Sequence, residues 1–173
     1  MLLAAVLNGC GDAHVPGAKP TAIPTVSCPL GSNERSVYGA YSTDCIHAIA
    51  DWAFKLPDIS DRFNSPRYRI DSPDHSPSFI EALYLPLDPQ HDPPLGVAID
   101  RPGVRPGTVH ADLTRELEGH ALQYTTGEDG SRFVYWEDDG VSYLIAARPP
   151  SVVADIDDYL ADLVATFLHA AAS

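Results

Sequence analysis

Apolar and polar residues alternate most regularly in the last third of the chain, and this period of two predicts β-strands. Strands are expected at residues 120–126, 132–137 and 141–147. The connections at 127–130 and 138–140 carry glycine next to acidic residues, which suits tight hairpin turns. The pattern therefore predicts an antiparallel meander.

A helical period follows the meander and predicts an amphipathic helix that closes the chain. Ser151 is expected to cap this helix after Pro149 and Pro150, and the helix should continue to about His169. Its apolar stripe consists of Val152, Val153, Ile156, Leu160, Leu163, Val164, Phe167 and Leu168. A stripe of this kind needs a sheet or another helix to cover it.

The first predicted helix covers residues 43–54, where apolar residues recur at helical spacing. Ser42 or Thr43 can serve as its N-cap, and Asp44 suits the positive end of the helix. Pro57 prevents the helix from continuing. A turn-rich stretch punctuated by prolines is expected after it.

Two further strands are predicted at residues 79–85 and 95–100. The segment 86–94 between them contains four prolines and must be a loop. A short helix is expected at residues 112–118, because Leu113 and Leu117 share one side and Gly119 follows as a stop.

These elements predict an α+β fold, in which an antiparallel β-sheet carries an N-terminal helix and a C-terminal amphipathic helix packed on it. The chain has 173 residues and is 45% apolar, which is enough for one hydrophobic core. One domain is expected over residues 36–173, since we find no internal repeat and no second linker.

Aromatic residues of the meander are candidate ligand contacts, because aromatic side chains offer large apolar surfaces with a polar tip. The four candidates are Tyr124, Tyr135, Trp136 and Tyr143. The alternative is that they fill the core, which is the commoner role of aromatic residues in a sheet.

The N terminus supplies the most specific signal in the chain. A short apolar run ends in Leu7-Asn8-Gly9-Cys10, which resembles a bacterial lipobox. The resemblance implies that residues 1–9 are a signal-peptide remnant and that Cys10 carries lipid. Residues 10–35, rich in proline and small residues, would then form a flexible linker on the extracytoplasmic face of the membrane.

Two cysteines remain if Cys10 is acylated. An exported protein is expected to oxidise Cys28 and Cys45 to a disulfide that closes a loop of about 17 residues. The alternatives are two independent thiols, or a nucleophile at Cys45 near the start of the first helix.

The last third of the chain resembles a known domain. Residues 117–120, then 133–143, then the terminal helix are similar to a domain of unknown function found in extracytoplasmic parts of bacterial anti-sigma factors and in lipoproteins. The resemblance implies a fold and a compartment, the cell envelope. It carries over no catalytic residue.

The charge narrows the choice of partners. The formal net charge is -13, with 24 acidic residues against 11 basic ones, so nucleic acid is not expected as a partner. The chain contains no apolar run of the 20 or so residues that a membrane-spanning helix needs. The membrane is expected as a partner only through lipid on Cys10, alongside an unidentified small molecule, lipid or protein.

Motifs of catalysis are missing from the sequence. It contains no metalloprotease, nucleophile-elbow, phosphate-loop or paired-cysteine motif, and its seven histidines lack metal-ligand spacing. No metal or other cofactor is expected. Acidic segments at 71–75, 88–92 and 137–139 are best interpreted as solvated turns.

Together these observations predict a non-catalytic, membrane-tethered lipoprotein that binds a ligand or an envelope partner. One alternative is an envelope hydrolase that uses an acid or histidine from segments 71–75 or 88–92. The other is an acidic inhibitor or decoy that occupies a basic site on another protein.

Overall fold

The computed structural model describes residues 42–71, 77–104, 110–148 and 153–171. Within these ranges the chain forms two helices and seven strands. They are α1 (Thr43–Ile49), β1 (Arg67–Ile70), β2 (Phe79–Tyr84), β3 (Leu95–Asp100), β4 (Leu113–Leu117), β5 (His120–Thr126), β6 (Arg132–Asp138), β7 (Val141–Ala147) and α2 (Ile156–His169).

All seven strands belong to one antiparallel sheet in the order β1-β2-β3-β7-β6-β5-β4. The first three strands form one meander and the last four form another. The second meander starts at the far edge and returns, so that β7 pairs with β3 from Leu95↔Ala147 to Asp100↔Ser142. The predicted α+β fold with an antiparallel sheet and two flanking helices is confirmed.

Alternate residues of the central strands point into a core that lies between the sheet and the helices. Helix α2 contributes four buried side chains, Leu160, Leu163, Val164 and Phe167. Burial of each is worth about 1.5–3 kcal/mol. Trp136 and Tyr143 stack with ring centroids 5.0 Å apart, and the Phe167 ring meets Trp136 edge-on at 5.7 Å. The core under α2 is therefore filled by aromatic rings.

Ion pairs fix the start of α2 on the sheet. Arg132 on β6 donates through Nε and Nη2 to the two carboxylate oxygens of Asp157, at 2.6 and 3.1 Å. Arg115 on β4 donates to Asp158 at 2.6 Å. Both guanidinium groups also lie over the ring of Tyr124. The sheet thus holds the first turn of α2 by charge as well as by apolar contact.

The predicted helix at residues 112–118 is wrong, because this segment is strand β4. Glu118 and Gly119 both have positive φ, 51° and 85°, and form the two-residue turn of a hairpin between Leu117 and His120. Leu113 and Leu117 are four residues apart, a spacing that puts side chains on one side of a strand as well as of a helix. Gly119 closes a hairpin and does not stop a helix.

Other element bounds also differ from the prediction. Helix α1 ends at Ile49, since Ala50 turns extended and lets Phe54 enter the core. Strand β1 lies inside the stretch predicted as turns. It is a four-residue edge strand in which only Tyr68 and Ile70 are buried. Helix α2 begins at Ile156 with Asp155 as N-cap. The predicted cap Ser151 lies outside the described residues.

Candidate functional site

The structure separates the four aromatic residues that the sequence suggested as ligand contacts. Tyr124, Trp136 and Tyr143 lie on the helix-covered side of the sheet and are at most 2% exposed. Tyr135 lies on the opposite side and is 8% exposed. Three of the four therefore pack in the core, where a ligand would reach them only if α2 moved.

Tyr135 belongs to a sheet face that no described helix covers, and we call it the open face. Its residues on strands β2, β3, β7 and β6 alternate with core residues, and most of them are partly buried. The open face consists of Phe79, Glu81, Leu83, Gly96, Ala98, Asp100, Phe133, Tyr135, Glu137, Ser142, Leu144 and Ala146.

A groove runs along the middle of the open face. Its floor is formed by Gly96 and Ala98 of β3 together with Leu144 and Ala146 of β7. Larger side chains of the flanking strands β2 and β6 rise on either side, and the groove has a volume of about 300 Å³. The groove exists because small residues occupy two adjacent strands. We call it the central groove.

Strand register shows how wide the central groove is. Glu81 of β2 pairs with Ala98, Ala98 with Leu144, and Leu144 with Tyr135 of β6. Three strand spacings of about 4.8 Å therefore separate the backbones of β2 and β6, which carry the two walls, or about 14 Å in all.

Beyond one end of the central groove, the open face is acidic. Asp100 and Glu137 flank Ser142 in a single cross-strand row, and Asp71 follows the end of β1 close by. Partial burial raises the pKa of the Asp100 carboxyl, and the neighbouring charge of Asp71 raises it further. We call these three carboxylates the acidic end.

Tyr135 contacts Glu137 of the acidic end and the neighbouring Ser142. Its Oη lies 2.7 Å from Glu137 Oε1 and 3.2 Å from Ser142 Oγ. Burial raises the pKa of Tyr135 to about 12, with a smaller contribution from the hydrogen bond to Glu137, so the phenol stays protonated and donates to the carboxylate. This hydrogen bond fixes the Glu137 carboxyl group beside Ser142.

Charges along the rest of the groove are balanced. Glu81 lies 2.5 Å from Arg69 Nη2, which neutralises it in the middle of the open face. At the other end Arg148 lies near Asp129, whose pKa is lowered by hydrogen bonds from Ser131 and, more weakly, by Arg148. The floor of the groove is consequently apolar, the charges in its lining are balanced, and the acidic end lies beyond it on the same face.

A second cluster joins the β6–β7 turn to the loop after α1. Lys55 Nζ lies 2.7 Å from Asp138 Oδ2 and donates to the carbonyl oxygen of Leu168 at 3.0 Å. His120 Nε2 lies 3.2 Å from the other oxygen of Asp138. Among the hydrogen bonds between described residues, none joins a serine, threonine or cysteine side chain to a histidine. The cluster is an ion-pair network without a partnered nucleophile.

The acidic segments singled out in the sequence have structural partners. Asp71 accepts hydrogen bonds from Ser78, while His75 lies outside the described residues. Asp88 pairs with His91 at 2.7 Å on an exposed turn.

Asp92 in the same loop is buried and accepts from Arg62 and from Tyr159 Oη. The described parts of the chain contain no group of three or more side chains placed to hold a metal ion.

Another cavity, of about 290 Å³, lies between α1, the loop after it and the end of β2. Thr43 Oγ1 and Tyr68 Oη are 2.8 Å apart beside it. Burial raises the pKa of Tyr84, which lines it. No charged side chain other than Asp58 lines this cavity among the residues that the structure describes.

The predicted anchor lies outside the described residues, as do Cys28 and linker 10–35. Cys45 is buried on α1 and is engaged in a disulfide, so it is not a free thiol. Its predicted pairing with Cys28 stays a prediction. Across the part of the chain that the structure describes, no helix is long and apolar enough to cross a membrane.

Sequence reasoning missed the central groove. The available signal was the alternation of small residues, Gly96 and Ala98 in one predicted strand and Ala146 in another. Only the pairing of β3 with β7, which are distant in sequence, places these residues side by side.

No known protein family, no curated protein and no solved structure matches this chain. The open face and its groove are therefore interpreted from their own geometry.

Proposed function

We propose that this protein is a non-catalytic, lipid-anchored protein of the bacterial cell envelope that binds a partner through the open face of its sheet. The observation that carries the binding role is the central groove, which has an apolar floor and polar sides and lies on a sheet face that no described helix covers. Partly apolar faces of this kind mark interaction sites on soluble domains.

The envelope location rests on the N-terminal sequence. The lipobox-like Leu7-Asn8-Gly9-Cys10 is followed by a proline-rich segment at residues 10–35 that suits a tether. Two further cysteines and the absence of nucleic-acid-binding charge fit the same compartment.

A binding role accounts for the remaining side chains better than catalysis does. His120 and His91 each face a carboxylate, but Lys55 already pairs with the partner of His120, and His91 sits on an exposed turn. The aromatic residues under α2 fill the core, so that side of the sheet offers no ready pocket for a substrate.

Lipid anchoring is tested by intact-mass measurement of the protein purified from membranes of its own host. We expect the mature chain to begin at Cys10 and to carry diacylglyceryl and acyl groups. The Cys10→Ala variant should lose the lipid and leave the membrane fraction. A wild-type chain that retains residues 1–9 and fractionates with soluble proteins would refute the tether.

Binding through the open face is tested by affinity purification from detergent-solubilised membranes. Gly96→Leu fills the groove from its floor, because a Cβ at this position meets only Ala146 Cβ, at 3.9 Å. Leu87→Glu is the control, since Leu87 is 54% exposed on a loop away from the groove. We expect Gly96→Leu alone to lose the partners that the wild type retains; retention by both variants would count against the proposal.

A further inference from the structure

The dimensions and charge of the central groove identify the kind of partner that fits it. Resting on the proposed function, we infer that the groove receives an amphipathic α-helix of a partner protein, with basic residues placed over the acidic end.

The spacing of the strands that carry the walls suits a helix. The backbones of β2 and β6 are about 14 Å apart, so an α-helix, about 10–12 Å across with its side chains, can lie over the floor with its side chains between those of the two walls. Gly96, Ala98 and Ala146 let a helix approach the sheet closely, while Leu144 projects from the floor beside Ala98. An extended peptide would leave most of this width empty.

Hydrogen bonding also favours a helix. The backbone groups of β3 and β7 are occupied by neighbouring strands on both sides, so the floor offers only side chains. A helix satisfies its own backbone internally, whereas an extended segment lying flat on this face would bury unpaired N–H and C=O groups.

Charge sets the orientation and the composition of the helix. Asp71, Asp100 and Glu137 lie just beyond one end of the groove on the same face, while Glu81 in its lining is paired with Arg69. Lysine or arginine of the partner at the acidic end would therefore complement the groove, and apolar residues would cover its floor. A second copy of this chain fits less well, because two concave grooves placed face to face enclose empty space.

The test uses the full chain carrying Cys10→Ser, so that no lipid is attached, and a fluorescent 16-residue helical peptide with a Leu/Ala stripe and lysines beside it. We expect saturable binding by fluorescence anisotropy that weakens at least tenfold in Gly96→Leu and severalfold in Asp100→Asn combined with Glu137→Gln. Leu87→Glu should bind as the wild type does. Ala146→Leu, folded by circular dichroism, repeats the test should Gly96→Leu fail to fold.

Two control peptides separate shape from charge. A peptide of the same composition with interspersed prolines should not bind, and neither should one with glutamate in place of lysine. Equal binding of the proline peptide would contradict a helical partner. Binding that is unchanged in Gly96→Leu and Ala146→Leu would contradict the central groove as its binding site.

Other occupants are outcomes of the same experiment. Palmitate binding, or concentration-dependent dimerisation, that Gly96→Leu abolishes would assign the groove to an acyl chain or to a second copy and would overturn the proposal. If none of the peptides binds while the membrane purification still shows a partner that depends on Gly96, the inference fails and the proposed function stands.

Discussion

Asp100 is a residue of the open face whose ionised carboxyl group destabilises the native state. Its carboxyl is partly buried close to Asp71, and both effects disfavour the anion. A carboxylate placed in this way costs the native state free energy at neutral pH, and residues at binding sites often have such costs. A cationic partner at the acidic end would relieve it.

The variant Asp100→Asn should therefore raise the melting temperature at pH 7. The folded-state pKa of Asp100 lies above the ordinary value of 3.8, so the native state loses stability as pH rises through the window between the two. The gain from the substitution should vanish as the pH falls below about 3.8, where the carboxyl is protonated in both states.

Asp129→Asn provides the opposite control, measured in the same pH series by differential scanning calorimetry. Hydrogen bonds from Ser131 lower the pKa of Asp129, so its ionised form stabilises the fold above the ordinary pKa. This variant should lose stability at pH 7. An Asp100→Asn protein that melts at or below the wild-type temperature at pH 7 would refute the assigned cost.

Lys55 is expected to stabilise the fold through its ion pair with Asp138. The Lys55 and Asp138 side chains are 17% and 10% exposed, so Lys55→Met leaves a largely buried carboxylate whose one remaining ion-pair partner among the described residues is His120. We expect a loss of roughly 1–3 kcal/mol in urea unfolding. Adding Asp138→Asn should restore part of it, whereas additive losses in the double variant would show that the pair is not coupled.

Secondary structure was predictable where one period dominates. Strands β2, β3, β5, β6 and β7 follow from alternation. Strand β1, with four residues at the sheet edge, is too short for a pattern to show, and the two leucines of β4, four residues apart, suit a helix as well as a strand. Turn geometry, here positive φ at Glu118 and Gly119, decides between them.

The groove could not be derived from any single element. Its floor combines β3 with β7, and strand order is decided by how the second meander returns to the first. The sequence suggested aromatic residues as contacts, but three of these four point to the helices. Alternation alone shows that a strand has two faces and does not tell which face the helices cover.

The start of helix α2 offers a test at the scale of the element. Asp155 accepts hydrogen bonds from the backbone N–H groups of Asp157 and Asp158. Asp155→Ala should cost about 1 kcal/mol in urea unfolding, while Asp155→Ser should cost less because serine also caps. Equal losses in both variants would mean that the cap contributes through charge alone.

At the scale of the whole molecule, the cysteines connect the fold to its compartment. Cys45 is disulfide-bonded, and the sequence offers Cys10 and Cys28 as partners. If Cys10 carries lipid, only Cys28 is left. A bridge from Cys28 to Cys45 would close a loop of about 17 residues between the linker and α1 and would stabilise the domain by about 3 kcal/mol.

Peptide mapping without reduction tests this assignment. We expect one linked pair of peptides that contain Cys28 and Cys45, and a separate lipid-modified peptide that begins with Cys10. The Cys45→Ser variant should melt at a lower temperature than the wild type. A bridge between Cys10 and Cys45 would contradict the tether and the proposed processing together.

The open face as the docking surface is tested most directly by photo-crosslinking in living cells of the host. A benzophenone amino acid is placed at Leu83 or Thr125, which lie on opposite sides of the groove, and at Thr166 on the exposed side of α2 as control. We predict covalent adducts with one envelope protein from both groove positions and none from Thr166. Adducts from Thr166 alone, or none from either groove position, would contradict a docking role for this face.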